Sequence, residues 1–531
     1  MISKTEIKKI IKKILGLNYK IDNSKYSTSD KSSALYHLTH ENSELLESRM
    51  GIGKRKDGKQ FYNDIRKIEL GFNFLNSELP KYAKDEVNDI FEYDNFNSGT
   101  PMKTKPFPHC IRRVKRLLHK NNLYWYPSTS GNSIERQMIV DYLRREGFTI
   151  ESDDKYDGIG VDNVVFTCST THAFSIILNV IAREEDVVLV TGPNYGLFAV
   201  MPERINCRVE VLNLKEEDDW LVNPKDLEEK IDEINGRLKK EFKGKSYIPK
   251  VVAFLNLNPH NPLGKVMSIK HKDLIEKIGD ICLKKGVFVI DDLIYRDLTF
   301  DQNNLALPMA TYKKYFNNTI SLFGLSKSYG LASFRAGFIV APLPICRGLK
   351  AEIWQNMDSI PTPQIEAIVG GFNGTNSRYK AIRKYFKPII KEYQYRYYLL
   401  KALVEGIDSI NDSKIKKKII RDVKHYEKND CSLLLDGIPN VTIKSGTEPE
   451  SGFFAVLDFT KLKNKKYEET IHNDLDLLKC FYENGKIRMI MGSNMSWPND
   501  DELVARVNFG IEKRAIVNNM KIINKIVRKL K

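Results

Sequence analysis

The chain has 531 residues, 42% of them hydrophobic and 29% charged, which excludes wholesale disorder, collagen and coiled-coil rods. At about 150 residues per domain the length suggests three or four domains, and a core this large needs no disulfide or metal staple. The net charge of +16 suits nucleic acid, an anionic membrane surface or an anionic ligand, without choosing among them.

The basic, amphipathic start, MISKTEIKKIIKKILGL, has neither an apolar signal core nor a small-residue cleavage site, so a surface helix is expected. Residues 1–91 are rich in Lys, Asn, Ser and Asp with weak periodicity, and read as an N-terminal extension containing some helix. They show no helix-turn-helix pattern, which argues against a DNA-binding regulator. No apolar stretch approaches about 18 residues, so neither a membrane span nor a membrane partner is expected.

Seven cysteines lie far apart without a C-x-x-C pair, which fits a reduced, cytoplasmic setting. Cys168 and Cys282 read as small buried hydrophobes. The histidines have no ligand spacing, so no metal is expected.

From about residue 92 the texture changes. SIERQMIVDYLRREGF (133–148) has helical spacing. DNVVFTC (162–168) is a short apolar strand, followed by the helix THAFSIILNVIA. DVVLVTG (186–192) and RVEVLNL (208–214) read as strands, then PKDLEEKIDEINGRLKKEF as a helix. KVVAFLNLN (250–258) is a strand, HKDLIEKIGDICLKKG a helix and VFVIDD (287–292) a strand. NTISLFG (318–324) and RAGFIVAP (335–342) complete the series. Strands alternating with helices indicate a mostly parallel sheet, and their unbroken apolar runs mean that both faces are covered. Beyond about 345 the pattern turns helical and basic. KPIIKEYQYRYYLLKALVEGI is a long helix, the charged segment near 411–435 reads as a solvated insertion, and VTIKSGTEPESGFFAVLDF and ELVARVNFG read as strands. The expected division is 1–91, a large α/β domain over 92–345, and a small α+β domain over 346–531.

In an open α/β sheet, ligands bind past the carboxyl ends of the strands. Those ends carry Ser169, Thr170 and Thr171; Tyr195; Asn261, between two prolines; Asp292, with Tyr295 three residues on; and Ser326 with Lys327. A helix start with hydroxyls can hold a phosphate. An aromatic ring can stack on a flat cofactor, a buried carboxylate can pair with a pyridinium nitrogen, and a lysine can bind a carbonyl covalently. Together these are the needs of pyridoxal phosphate.

NPHNPLG (258–264), DLIY (292–295) and SKSYGLASFRAG (326–337) resemble, in order and spacing, the signatures of the class I/II aminotransferases, enzymes of pyridoxal phosphate fold type I. SGTP (98–101) and YPSTSG (126–131) resemble the family's opening segment, and ARVNFG (505–510) its arginine strand. The resemblance implies a large domain with a mostly parallel seven-stranded sheet and a smaller α+β domain. It implies transfer of an amino group between an amino acid and a 2-oxo acid, in a homodimer with shared active sites and no nucleic-acid partner.

By the same resemblance, Lys327 holds the cofactor and shuttles the proton at Cα, and Asp292 pairs with the pyridine nitrogen. Asn261 and Tyr295 bind the ring 3-oxygen, and Tyr195 stacks on the ring. Thr170, Thr171, Ser326 and Arg335 bind the phosphate, and Tyr126 reaches the phosphate of the other subunit. Arg506 grips the substrate carboxylate, and Gly99 and Asn261 line the substrate pocket. Gly324 stands where the family often has a phosphate-binding serine, and Ser169 stands in place of a common glycine. Decarboxylation, elimination or cyclisation on the same scaffold is the alternative chemistry.

Overall fold

A computed structural model describes residues 96, 99, 105–120, 123–148, 159–427 and 431–531. The expected N-terminal helix and extension lie outside the described residues.

The order of elements follows the sequence pattern closely. Helices α1 (Pro108–His119) and α2 (Ser133–Arg145) precede β1 (Val164–Thr167), α3 (Ser169–Ile181), β2 (Val187–Gly192) and β3 (Arg208–Asn213). Then come α4 (Pro224–Glu241), β4 (Val251–Leu257), α5 (Lys272–Lys285), β5 (Phe288–Asp292), β6 (Thr319–Gly324) and β7 (Gly337–Val340). These seven strands form one sheet in the order β1-β7-β6-β5-β4-β2-β3. Strand β7 runs antiparallel to both neighbours, and the other pairings are parallel. Buried Val, Ile, Leu and Phe on β2, β4, β5 and β6 pack on both faces, as apolar strands without alternation require.

Beyond β7 lie α6 (Leu343–Met357), α7 (Thr362–Gly371) and the 30-residue α8 (Asn376–Glu405). After α9 (Ser413–Glu427), the strands β8 (Thr442–Ile443), β9 (Phe454–Asp458), β10 (Ile490–Met491) and β11 (Val504–Asn508) form a second sheet, ordered β10-β11-β9-β8 and antiparallel throughout. Helices α10 (Asp474–Gly485) and α11 (Lys513–Val527) complete this part.

The charged segment near 411–435 is not simply solvated, as its composition suggested. Over Ser413–Glu427 it is an amphipathic helix that buries Ile419 and Val423 against its neighbours. Lys418 lies 3.5 Å above the Tyr395 ring, and Asp422 accepts from Lys513 Nζ at 3.0 Å. The apolar residues Ile415, Ile419 and Val423, four apart, outweigh the charge around them. The seven cysteines are free thiols. Cys282 is buried as expected, whereas Cys168 is only half-buried and turns its Sγ to Gln364 Oε1 at 3.2 Å. Among the described residues, no helix is long and apolar enough to cross a membrane.

Candidate active site

The carboxyl ends of β4, β5 and β6 open into a cleft whose far wall comes from the second sheet. All the sequence-derived site residues except Tyr126 line it. Tyr126 lies outside, 84% exposed, beside the exposed Tyr124 and Trp125.

At the end of β5, alternation sends adjacent carboxylates to opposite faces. Asp291 accepts from Asn256 Nδ2 at 2.9 Å and from the Met309 N–H at 3.0 Å, away from the cleft. Asp292 faces the cleft and accepts from the Ile294 N–H at 3.1 Å. Burial raises the Asp292 carboxyl to about 6, against the pull of that N–H and of Lys327. A cation in the cleft would draw it back down.

Past β6, Lys327 Nζ donates to the Gly99 carbonyl at 2.6 Å. Burial lowers its amine to about 8, with Arg506 and Arg335 adding to the effect and Asp292 opposing it. The neighbouring Ser326 hydroxyl is buried without a hydrogen-bond partner among the described residues. A buried, unsatisfied hydroxyl is costly, and this one lines a cleft where an acceptor oxygen would satisfy it.

The loop after β4 is closed by its own amides. The Asn258 side chain donates to the Met267 carbonyl at 2.8 Å and accepts from the Met267 N–H at 2.9 Å. Gly264 ends the loop with φ +70°, and a Cβ there would lie 2.7 Å from Pro449 Cβ, so only glycine fits. His260 sits behind the cleft facing Thr191 Oγ1 at 3.1 Å, and burial lowers it to about 3, so it stays neutral. The loop presents Asn261, whose Oδ1 accepts from Arg506 Nη1 at 3.3 Å. That hydrogen bond joins the two sheets.

Arg506 is buried in the middle of β11, opposite Val456 of β9. Its guanidinium lies 4.2 Å above the Phe454 ring. Phe454 is two residues from Val456, hence on the same face and diagonal to the arginine. Composition alone marks it only as one more core aromatic. Its signal was positional: a diagonal partner of the arginine strand. Phe198, Leu257 and Ile294 also line the cleft and escaped sequence reading for the same reason.

Helix α3 points its amino end into the cleft with Thr170 and Thr171. Arg335 donates through Nη2 to Ser169 Oγ at 2.5 Å and through Nη1 to the Ala332 carbonyl at 2.9 Å. Free helical N–H groups, a guanidinium and an unpaired hydroxyl make an anion cup. Gly324 is closely packed: a Cβ would lie 3.3 Å from both Thr170 Cγ2 and Ile294 Cδ1, so a larger residue would need those side chains to shift by a few tenths of an ångström. Tyr195, 40% exposed, forms the open side, its ring edge-on to Phe198.

Tyr295 is buried against Phe453 and Phe454, and burial raises its phenol above the ordinary value. The chain then turns through Arg296 and Asp297 into a buried ionic network. Glu146 accepts from Arg296, from Arg383 and from the Tyr379 hydroxyl, the last at 2.7 Å. Arg383 also donates to Asp297 at 3.2 Å. This network joins α2, the Tyr295 turn and α8.

The family model of aminotransferase class I and II matches residues 94–416. The chain belongs to this family. It is an aminotransferase, passing an amino group between an amino acid and a 2-oxo acid, and the family depends on pyridoxal phosphate.

Among curated relatives, kynurenine–oxoglutarate transaminase of Dictyostelium discoideum is 27% identical over 348 residues, 65% of this chain and 69% of that one. Tyrosine aminotransferase of Bos taurus is 25% identical over 233 residues, 44% of this chain and 45% of that one. Among solved structures, the aspartate aminotransferase from Rhizobium meliloti superposes with a TM-score of 0.65 at 14% identity, covering 86% of this chain and 96% of that one. The aromatic aminotransferase from Pyrococcus horikoshii OT3 gives 0.59 at 17% identity, covering 83% and 98%. These likenesses agree with fold type I.

Proposed function

We propose that this aminotransferase holds pyridoxal phosphate on Lys327 and takes an aromatic amino acid as donor, with a 2-oxo acid as acceptor. The observation that carries the reading is the meeting, in one cleft, of a lysine of lowered basicity, a buried carboxylate and an anion cup with an unsatisfied hydroxyl.

When bound, the cofactor supplies an electron sink that makes the substrate Cα–H acidic. Lys327 takes that proton and returns it. Asp292 keeps the pyridine nitrogen protonated, since an opposite charge raises a base's pKa. The Asn261 amide and Tyr295 hydroxyl bind the ring 3-oxygen, Tyr195 covers the ring, and Thr170, Thr171, Ser326 and Arg335 take the phosphate. Arg506 holds the substrate carboxylate, and Phe454 fixes the plane of that guanidinium by a cation–π contact. Gly99 closes the substrate side.

The substrate class rests on the walls and the charges. Phe198, Leu257, Ile294 and Phe454 offer apolar surface. Among the described lining residues the cations are Lys327, Arg335 and Arg506, each engaged in a role above, so none remains for a second carboxylate. Relatives named for kynurenine and tyrosine point the same way.

The wider reading is a cytoplasmic homodimer in which the exposed Tyr126 reaches its partner's phosphate, with the domains 1–91, 92–345 and 346–531. A screen of amino donors that follows conversion of bound cofactor to its amine form tests the substrate class. Aromatic donors should convert it fastest, and Lys327→Ala should abolish conversion. Faster conversion by aspartate would overturn the aromatic assignment, and normal conversion by Lys327→Ala the lysine's role.

A further inference from the structure

We infer that Ser169 is a positioning residue for the cofactor phosphate: its hydroxyl sets Arg335 in the anion cup, at the expense of a backbone conformation that favours glycine. The inference rests on the reading of Arg335 as a phosphate ligand.

Ser169 is the first residue of α3, with φ +78°. This left-handed region brings Cβ against the backbone, and residues other than glycine enter it only when their surroundings hold them there. The surroundings do hold it. The Thr167 hydroxyl donates to the Ser169 carbonyl at 3.1 Å. On the other side, Gly337 of β7 lies so close that a Cβ there would be 3.2 Å from Ser169 Cα. A glycine at 169 would meet the same backbone geometry without strain, so the serine side chain has a use that outweighs its conformational cost.

Among the described residues, the hydrogen-bond partner of that side chain is Arg335. Ser169 is 1% exposed, whereas Arg335 is an exposed residue, itself at φ +51°, on the loop before β7. A long cation on an exposed loop samples many rotamers unless it is tethered. The Ser169 hydroxyl oxygen accepts from Arg335 Nη2 at 2.5 Å and the Ala332 carbonyl from Nη1 at 2.9 Å, which fixes the guanidinium at two corners. It is thereby aimed at the same space as the unpartnered Ser326 hydroxyl and Thr170. Preorganisation of this kind raises affinity by removing an ordering cost from the binding step.

The test uses the full chain stripped of cofactor, binding either pyridoxal phosphate or pyridoxal, which lacks the phosphate. Ser169→Ala and Ser169→Gly should each weaken pyridoxal phosphate about tenfold, the scale of one hydrogen bond to a charged group. Pyridoxal binding should be unchanged. The glycine variant should melt higher than the alanine variant, because only glycine relieves the backbone. On an Arg335→Met background Ser169→Ala should cost nothing further, as expected for a residue acting through the arginine.

Wild-type affinity in Ser169→Ala, equal losses for both ligands, additive losses on the Arg335→Met background, or an alanine variant as stable as the glycine variant would each overturn the inference. If Arg335→Met itself leaves pyridoxal phosphate binding intact, the phosphate-ligand reading of Arg335 falls with it. If Arg335→Met weakens binding and Ser169→Ala does not, that reading stands and the inference alone fails.

Discussion

Glu146→Gln tests the ionic network behind Tyr295. The substitution keeps the size of the side chain and removes its charge, leaving Arg296 and Arg383 facing a neutral amide. Burial by itself would raise the Glu146 carboxyl, but the two guanidiniums overturn that and hold it down at about 2, against an ordinary 4.5. At about 1.36 kcal/mol per pKa unit, this corresponds to about 3 kcal/mol of stability at neutral pH. The figure agrees with the roughly 3–5 kcal/mol cost of breaking a buried ion pair from one side.

The folded-state value is depressed, so the contribution is complete above pH 4.5 and disappears as pH falls towards 2. The Asp297 carboxyl, raised chiefly by burial and also by the Glu146 charge, acts in the opposite sense, and loss of that charge in the glutamine variant relieves part of its rise. Urea unfolding of wild type and Glu146→Gln at pH 7 and again near pH 3.5 reads the effect. The midpoint gap should be wide at pH 7 and narrower by roughly two fifths near pH 3.5, where about 2 kcal/mol of the contribution is left. A glutamine variant within about 0.5 kcal/mol of wild type at pH 7, or a penalty independent of pH, would refute the reasoning.

Asp292→Ala should leave pyridoxal phosphate bound while slowing amino transfer at least a hundredfold in single-turnover absorbance measurements; wild-type turnover would remove its role. Arg506→Lys should weaken amino and oxo acid binding by about tenfold to a hundredfold, the loss of one charge-assisted hydrogen bond, with cofactor content full. Decarboxylated amines should show little change, and an unchanged amino acid affinity would exclude Arg506 from carboxylate binding. Lys327 is lowered to about 8, so its neutral, reactive form prevails above that pH. The rate of covalent attachment of pyridoxal phosphate to cofactor-free protein should therefore climb with pH and level off above about 8. Levelling only near 10.5, the ordinary lysine value, would contradict the burial and charge argument.

The strand ends were legible because chemistry and pattern coincide there. An apolar run such as VVAFLNL stops, and the polar group that follows lies at the mouth of the sheet by necessity. Asn261, Asp292 and Lys327 are therefore expected together from the sequence, and the cleft brings them together. Glu146 could not be found this way. It lies at the end of an ordinary helix, and its partners Arg296 and Arg383 are 150 and 237 residues away in the chain. Phe454 looked like core, since nothing in an apolar strand announces the residue diagonal to it on a neighbour. The helix over 413–427 hides for a different reason: its lysine density masks the spacing of Ile415, Ile419 and Val423, and burial follows spacing. Ser169 was visible as a departure from a glycine, but its use depends on a φ angle and on a loop 166 residues away.

The cleft draws its walls from both sheets, and among the contacts across it is the Asn261–Arg506 hydrogen bond. Whatever fills the cleft is therefore a non-covalent cross-link between the two sheets. By mass action, a ligand at a hundred times its dissociation constant adds about 2.7 kcal/mol to the stability of the form that binds it. Here that increment falls on the seam between the sheets. On the proposed roles, an amino acid with its carboxylate at Arg506 and its amine towards Lys327 would span the seam, whereas an amine without the carboxylate would be held from one side. Substrate should thus protect the β9–β11 region from hydrogen exchange, while the decarboxylated analogue leaves it as open as in the empty enzyme.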